Sequence, residues 1–156
     1  MLTIDIPGFK TLNLVHLVLD YNGTLAIDGE LESCVYEQLK QLSEKLQIHV
    51  VTADTFGVAG ARLQNFPLTL TILPETNQAQ AKVDFVQNLR ADQVVAIGNG
   101  RNDRLMVSEA ALGIAVVQRE GAASETLHAA DVVCPNICSA LDLLIHPLRL
   151  KATLRS

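Results

Sequence analysis

Short apolar runs alternate along the chain with segments in which apolar residues recur at helical spacing. Val35, Leu39, Leu42 and Leu46 show this spacing, which is typical of the buried face of a helix. Helices are predicted at residues 32–46, 58–65, 79–89, 102–110, 122–128 and 137–145. Strands are predicted at residues 14–19, 48–52, 68–73, 94–97, 112–117 and 132–133.

The order of these elements predicts an α/β fold. Strands that alternate with helices form right-handed crossovers and a doubly wound, Rossmann-like parallel sheet, here in three layers α/β/α. An N-terminal β-hairpin that turns at Pro7-Gly8 is expected before the first core strand, and a short basic tail after residue 145. No repeat, linker or long insertion is visible, so we expect a single domain over residues 1–156 without a separate cap or nucleotide-binding domain.

Composition narrows the functional classes. A net charge of -5 argues against general nucleic-acid binding, which needs a basic face. No apolar run is long enough to span a bilayer, so no membrane contact is expected. The three cysteines, Cys34, Cys134 and Cys138, include no CxxC pair and predict reduced, mostly buried thiols in a cytoplasmic protein. A metal or redox site at Cys134 and Cys138 is the less favoured alternative.

Two polar clusters follow two of the predicted strands. Asp20-Tyr21-Asn22-Gly23-Thr24 ends the first core strand, and the segment from Gly98 to Asp103 ends the strand at residues 94–97. In open α/β folds ligands bind at the carboxyl ends of the strands. The two clusters therefore predict one shared site for a cation and a phosphate.

These residue types suit phosphoryl transfer to a carboxylate. Asp20 can act as the nucleophile, and Gly23 lets the backbone approach a phosphate beside the Thr24 hydroxyl. Thr52, at the end of another strand, adds a hydroxyl, and the helical Lys82 adds a positive charge. The remaining candidates, Asn99 and Asp103, offer oxygen ligands for Mg²⁺.

The ordered set of motifs resembles the haloacid dehalogenase-like (HAD) superfamily, and within it the phosphorylation domain of P-type ATPases. Residues 20–25, DYNGTL, are similar to the family's DKTGTL, and residues 52–54, TAD, to its TGD. Residues 98–103, GNGRND, resemble GDGxND, and the match continues through residues 110–115 and 129–133. The resemblance spans about residues 14–144 and implies a capless relative of the phosphatases, since neither transmembrane helices nor a nucleotide domain are present in this sequence.

The resemblance implies a role for each matching residue. Asp20 would accept the phosphoryl group, and Mg²⁺ would be held by Asp20, the Asn22 carbonyl, Asn99 and Asp103. The phosphate would be bound by Gly23, Thr24, Thr52, Ala53 and Lys82, with Asn102 and Asp54 in support. The expected substrate is a phosphorylated small molecule or a phosphoprotein, and a homo-oligomer is a further expectation because capless relatives often close their sites with a neighbouring subunit.

Two positions depart from the family pattern. Asn22 stands where phosphatases of the superfamily carry an acid–base Asp, so slow turnover is expected. Asn99 stands where the family usually has a metal-binding Asp, so weaker Mg²⁺ binding is expected. These departures leave open a second interpretation, a weakly active or inactive relative that binds phosphate, metal or a protein partner.

Simpler structural roles also stay open for individual residues. Asp20 could be an ordinary turn residue, Lys82 a solvated lysine and Thr52 an ordinary strand end. Asn102 or Asp103 could cap the following helix, a role that is compatible with ligand binding. The sequence thus predicts a site without excluding these alternatives.

Overall fold

The computed structural model describes residues 1–54 and 57–156. Within these residues six parallel strands form one central sheet. The strands of this sheet are β3 (His16–Asp20), β6 (Gln47–Thr52), β7 (Thr69–Ile72), β8 (Val94–Gly98), β9 (Leu112–Val116) and β10 (Val132–Cys134). The helices are α1 (Val35–Leu42), α2 (Val58–Arg62), α3 (Gln78–Asn88), α4 (Arg104–Glu109), α5 (Ser124–Ala129), α6 (Ile137–Ile145) and α7 (Pro147–Leu154), with 3₁₀ turns at Ala91–Gln93 and Arg101–Asp103.

The strand order explains where a ligand can bind. Across the sheet the order is β10-β9-β8-β3-β6-β7, so the chain builds outward from β3 in one direction and then returns to build from β8 in the other. The reversal point lies between β3 and β8, and such a point opens a crevice at the carboxyl ends of the two strands. Asp20 ends β3 and Asn99 follows β8, which places both predicted polar clusters at this crevice.

Two apolar cores lie on the two faces of the sheet. On one face, side chains such as Leu17, Leu19 and Ile97 pack against α1 and α6. On the other face, Val18 and Ala96 pack among residues of α3 and α4. Because both faces are covered, β8 and β9 are buried at every position, and this explains their continuous apolar sequences. The predicted doubly wound α/β fold in three layers is confirmed.

The N-terminal hairpin is also confirmed, but the end of the chain differs from the prediction. Strands β1 (Leu2–Ile6) and β2 (Lys10–Leu14) pair antiparallel as a separate two-stranded sheet. The expected basic tail is instead helix α7, which begins at Pro147 and packs on β1. Its Leu150 is fully buried, so an apolar contact holds a segment whose charges suggested a solvated end.

The cysteine prediction was wrong for two of the three residues. Cys34 and Cys138 form a disulfide with their Cα atoms 5.9 Å apart, which joins the start of α1 to α6. Cys134 is free and buried, so it shares no site with Cys138. The two bonded residues are 104 positions apart in the sequence, and only the fold brings them together.

Between β3 and α1 a small antiparallel hairpin follows the Asp20 motif. It consists of β4 (Ala26–Ile27) and β5 (Glu30–Leu31), and we call residues 26–31 the flap. The Tyr21 hydroxyl donates a hydrogen bond of 3.4 Å to the Gly29 carbonyl, which ties the flap to the motif. Within residues 1–54 and 57–156, no helix has the length and apolar character that crossing a bilayer requires.

Candidate active site

Asp20 lies at the carboxyl end of β3 with only 6% of its surface exposed. Its Oδ1 accepts a hydrogen bond of 2.7 Å from the Lys82 ammonium, and its Oδ2 accepts one of 3.3 Å from the Thr24 hydroxyl. The side chain thus points toward the predicted site residues. An ordinary turn residue has no need for a buried ammonium partner.

Lys82 is the centre of the site's charge network. It lies in the second turn of α3, is 1% exposed, and binds Asp103 Oδ1 at 2.7 Å as well as Asp20. One ammonium therefore bridges two carboxylates that come from different strand ends. This position excludes the alternative of a solvated surface lysine.

Asp103 is held in place by the loop after β8. Its Oδ2 accepts hydrogen bonds from the backbone N–H groups of Asn99, at 3.0 Å, and Gly100, at 2.9 Å. A side chain at Gly98 would lie 2.6 Å from the Asp103 Oδ2, so this position needs glycine. Asp103 occupies the N-cap position of α4, but its side chain makes no capping hydrogen bond to that helix. Its other oxygen binds Lys82.

Thr24 connects the two strand-end clusters. Its hydroxyl lies 3.3 Å from Asp20 Oδ2 and 3.2 Å from Asn99 Oδ1. The amide nitrogen of Asn99 donates to the Gly121 carbonyl at 3.1 Å, which fixes its oxygen toward Thr24. Gly23 has a φ of +80° and packs against the Asn99 side chain so closely that a Cβ atom would overlap it.

The TAD segment after β6 lies at the same edge of the sheet. Thr52 is 3% exposed and lines the cavity, and its Oγ1 accepts a hydrogen bond of 3.3 Å from the Asp54 N–H. The Asp54 carboxylate accepts hydrogen bonds from the N–H groups of Ala59, at 2.9 Å, and Gly60, at 3.4 Å. Asp54 therefore stabilises the start of α2, and it also lines the cavity with Ala53.

Asn22 and Asn102 occupy the rim of the site. Asn22 is exposed and lines the cavity. Asn102 donates a hydrogen bond of 2.7 Å to the side-chain oxygen of Gln78. Sequence reasoning missed Gln78, Glu120 and Tyr21, all of which line the cavity. A single glutamine or glutamate belongs to no motif, although Gln78 stands four residues before Lys82 and that helical spacing was visible.

These residues surround a cavity of about 490 Å³. Its volume lies within the range of roughly 300–1,000 Å³ that is typical of small-molecule sites. All the predicted site residues except Gly23, Thr24 and Asp103 line it directly. Those three lie beneath it and contact its lining: Thr24 binds Asp20 and Asn99, Gly23 packs on Asn99, and Asp103 binds Lys82.

Burial controls the electrostatics of the site. It raises the pKa of Asp20 from its ordinary value of 3.8 to about 7, and repulsion by Asp103 adds to this rise while Lys82 opposes it. Burial alone would lower the pKa of Lys82, but the attraction of Asp20 and Asp103 outweighs it, so its pKa lies above the ordinary value. Lys82 is therefore a permanent cation.

Two side-chain oxygen atoms at the site are of the type that ligates divalent cations. Asp20 Oδ2 and Asn99 Oδ1 both contact the Thr24 hydroxyl, so a carboxylate and an amide oxygen converge. Both oxygens of Asp103 already accept hydrogen bonds. In the described part of the chain, no three His, Cys, Asp or Glu side chains form a metal cluster. An ion here would depend on backbone carbonyls, water and the phosphate.

Known structures share this fold. A putative HAD superfamily hydrolase from Legionella pneumophila matches this chain with a TM-score of 0.72 and 20% sequence identity. The match covers 90% of this chain and 88% of the hydrolase. A second match is the 3-deoxy-D-manno-octulosonate 8-phosphate phosphatase from Moraxella catarrhalis, solved in complex with magnesium, phosphate and KDO. Its TM-score is 0.73 and its sequence identity 16%, and the match covers 92% of this chain and 94% of the phosphatase. A zinc-transporting PIB-type ATPase has a TM-score of 0.63 and 23% identity, with 80% of this chain matching 20% of the transporter.

These matches confirm the HAD-like fold and its likeness to the phosphorylation domain of P-type ATPases. No protein-family model matches the chain. The chain itself is 44% identical over 79 residues to the Uncharacterized protein MJ0073 of Methanocaldococcus jannaschii. This match covers 48% of the chain and 85% of MJ0073. The chain belongs to the family of MJ0073.

Proposed function

We propose that the chain is a Mg²⁺-dependent phosphohydrolase or phosphotransferase that works through an aspartyl phosphate on Asp20. The observation that supports this most is the buried Asp20–Lys82–Asp103 network at the base of a cavity large enough for a small molecule. The phosphatases among the structural relatives support the same reaction type, since one of them was solved with magnesium and phosphate.

The proposed reaction has two displacements at phosphorus. In the first, a carboxylate oxygen of Asp20 forms a bond to phosphorus, the bond to the ester oxygen breaks, and the departing alkoxide takes a proton from water. In the second, water forms a bond to phosphorus, the bond to Asp20 breaks, and the water gives up its proton to solvent. Inorganic phosphate leaves and the Asp20 carboxylate is restored.

Each neighbour of Asp20 has a task in this scheme. Lys82 offsets the negative charge on the phosphoryl oxygens, and Asp103 fixes the position of Lys82. Thr52 and the backbone at Ala53 line the cavity and would supply donors to the phosphoryl oxygens. Thr24 and Gly23 lie beneath the lining, and they act by holding Asp20 and Asn99 in place. Asp20, the Asn22 carbonyl, Asn99 and Asp103 would hold Mg²⁺, which would supply further positive charge between the carboxylate and the phosphate.

Replacement of Asp20 tests the proposal. With p-nitrophenyl phosphate and Mg²⁺, Asp20→Asn should lower kcat by about 10³-fold or more because the nucleophile is lost. The control is Asp92→Asn, an exposed carboxylate whose ion pair with Arg90 lies on the surface. Equal activity of the Asp20→Asn variant and the wild type would refute the proposed reaction.

Asn22 makes the proposed enzyme slow on alkyl phosphates. An amide cannot donate the proton that an alkoxide leaving group needs, and such help is typically worth about 10²- to 10⁴-fold. Asn22→Asp should therefore increase turnover of an alkyl phosphate more than turnover of an aryl phosphate. Equal rates for wild type and variant on both esters would reject this role for position 22.

A second candidate is a relative that binds phosphate or metal without turnover. The amides at Asn22 and Asn99 favour it, because they remove an acid–base group and a charged metal ligand. Beryllium fluoride with Mg²⁺ separates the two functions when combined with a turnover assay. Binding that requires Asp20 but is accompanied by no turnover of any phosphate ester would select this second function.

The substrate we propose is a phosphorylated small molecule, since the cavity has the size of such a ligand. A phosphoprotein substrate, a homo-oligomer and a cytoplasmic location stay predictions. The cytoplasmic prediction had relied on three reduced thiols, and the Cys34–Cys138 disulfide removes part of that argument.

A further inference from the structure

Beyond the reaction type, the cavity indicates which phosphate esters it accepts. We propose that it selects monophosphates whose leaving group is neutral and carries several hydroxyl groups, and that Gln78 determines this specificity by contacting those hydroxyls. This inference rests on the proposed function, because it concerns the part of the substrate that lies beyond the phosphate.

The charges that line the cavity disfavour a second anionic group. Among its described lining residues Lys82 is the only cation, and it is already bonded to Asp20 and Asp103. Two further lining residues, Asp54 and Glu120, are acidic. A carboxylate or second phosphate on the leaving group would meet these acids without a free cation to bind it.

The nearby arginines do not change this balance. Arg101 and Arg104 both bind Glu125, at 3.0 and 3.3 Å, and neither lines the cavity. Arg119 is next to Glu120 in the chain but does not line the cavity either. Thr55 and Phe56, which lie outside the described residues, carry no charge. The phosphate would thus be bound by Lys82, and the leaving group would face neutral and acidic groups.

Gln78 lies where a leaving group would pass. It is the first residue of α3, four positions before Lys82, so the two side chains share one face of the helix, one turn apart. Both line the cavity. Since Lys82 is buried and Gln78 is only partly buried, Gln78 lies nearer to solvent than Lys82 does.

The orientation of the Gln78 amide is fixed by two hydrogen bonds. Its oxygen accepts from Asn102 at 2.7 Å, and its nitrogen donates to the Glu75 carbonyl at 3.1 Å. The oxygen retains a second lone pair and the nitrogen a second hydrogen. An amide with one free donor and one free acceptor, held in place, is suited to binding hydroxyl groups, which also both donate and accept.

A matched pair of esters tests the inference. Glycerol 3-phosphate and 3-phosphoglycerate differ mainly in a neutral hydroxymethyl group that is replaced by a carboxylate. With Mg²⁺, the wild type should show a kcat/KM at least about 10-fold higher for glycerol 3-phosphate. A kcat/KM for 3-phosphoglycerate that is equal or higher would overturn the inference.

Variants then assign the preference to Gln78. Gln78→Ala should lower kcat/KM for glycerol 3-phosphate about 10-fold relative to that for p-nitrophenyl phosphate, with the loss mostly in KM. Gln80→Ala is the control, because Gln80 lies on the same helix but is exposed and binds Asp84. An equal loss for both esters in Gln78→Ala, or the same change in Gln80→Ala, would contradict a specificity role.

The same set of assays separates this inference from the proposed function. If p-nitrophenyl phosphate hydrolysis requires Asp20 but the two glycerol-based esters are used equally, only the specificity inference fails. If hydrolysis does not require Asp20, the proposed function fails and the inference with it. Calorimetry of both esters with Mg²⁺ and the Asp20→Asn protein supplies a readout without turnover, in which equal binding, or none, would overturn the inference.

Discussion

Two clusters of three charged side chains in this molecule have opposite compositions and opposite surroundings. In the buried cluster the cation Lys82 binds the carboxylates Asp20 and Asp103, both at 2.7 Å, and no side chain is more than 9% exposed. In the surface cluster the carboxylate Glu125 binds Arg101 and Arg104 at 3.0 and 3.3 Å, with side chains 30–70% exposed.

The buried cluster and the surface cluster have different energetic costs. Removing ions from water costs several kcal/mol for each ion, and a buried pair is often no more stabilising than apolar residues of the same size. Exposed pairs contribute only about 0–1 kcal/mol and are screened by salt. A fold that retains two carboxylates and one ammonium in its interior, beside a cavity, does so at a stability cost, and the proposed phosphate chemistry would account for it.

The largest effect is expected from removing the buried cation. Lys82→Met leaves two carboxylates without their ammonium, and breaking a buried pair in this way costs about 3–5 kcal/mol of unfolding free energy. Urea unfolding at pH 8 measures it, with the exposed Lys40→Met as control. A loss no larger than that of the control would mean that the buried cluster behaves like the surface one.

A smaller loss is expected from removing one of the two carboxylate charges. Asp103→Asn keeps the shape of the side chain, and Lys82 retains Asp20, but the new amide cannot accept from both Lys82 and the backbone N–H groups of Asn99 and Gly100. The unsatisfied donors should cost about 1–3 kcal/mol. Unfolding of Asp103→Asn at the wild-type urea midpoint, with Asp92→Asn as reference, would contradict this.

The surface cluster should respond weakly and in a salt-dependent way. Glu125→Gln removes the partner of both Arg101 and Arg104, and we expect a loss of about 0.2–1 kcal/mol at low salt. The loss should fall toward zero in 1 M salt because the charges are exposed. A loss above that of Asp103→Asn, or one that persists in salt, would remove the contrast between the two clusters.

The smallest effect concerns a partly buried pair at the opposite end of the sheet. His16 Nδ1 and His49 Nε2 lie 3.1 Å apart, and burial lowers the pKa of both residues from the ordinary 6.5, with His16 lowering that of His49 further. Lowered pKa values mean that the unfolded chain binds more protons below pH 6.5, so stability present above that pH is lost as the pH falls.

The His49→Gln variant should therefore lose less thermal stability than the wild type when the pH falls from 7.5 to 5, as measured by Tm. The corresponding difference in unfolding free energy should be smaller than those expected for the two charged clusters. The exposed His128→Gln, whose ring bonds only the nearby Ser124 carbonyl, is the control. A pH dependence of Tm that is unchanged in His49→Gln would show that this pair does not titrate as its surroundings indicate.

The sheet could be predicted from the sequence because its physical cause is local. Strands buried on both faces need continuous apolar runs, and β8 and β9 were predicted to within one residue. Helix α7 was not predicted, because its sequence contains several charged residues and only one side chain that the fold buries, Leu150. The disulfide was missed because residues 34 and 138 meet only through the packing of α1 on α6.

The site also contains some features that the sequence predicts and others that depend on how distant segments pack. The convergence of Asp20, Thr52, Lys82 and Asp103 could be predicted, because each belongs to a motif at a strand end or on a helix. The direct bonds of Lys82 to both carboxylates could not, since side-chain geometry depends on the distance between α3 and the two loops. Gln78 could not be found from a motif, because its position matters only once the cavity is known.

The central claim is that Asp20 becomes phosphorylated. The most direct measurement is acid-quenched mass spectrometry of the protein after brief mixing with p-nitrophenyl phosphate and Mg²⁺, followed by peptide mapping. We expect one phosphoryl group on the peptide that contains Asp20, readily visible if Asn22 slows its hydrolysis as proposed, and none in Asp20→Asn. Release of phosphate with no phosphoryl group on Asp20, or with one on another residue, would contradict it.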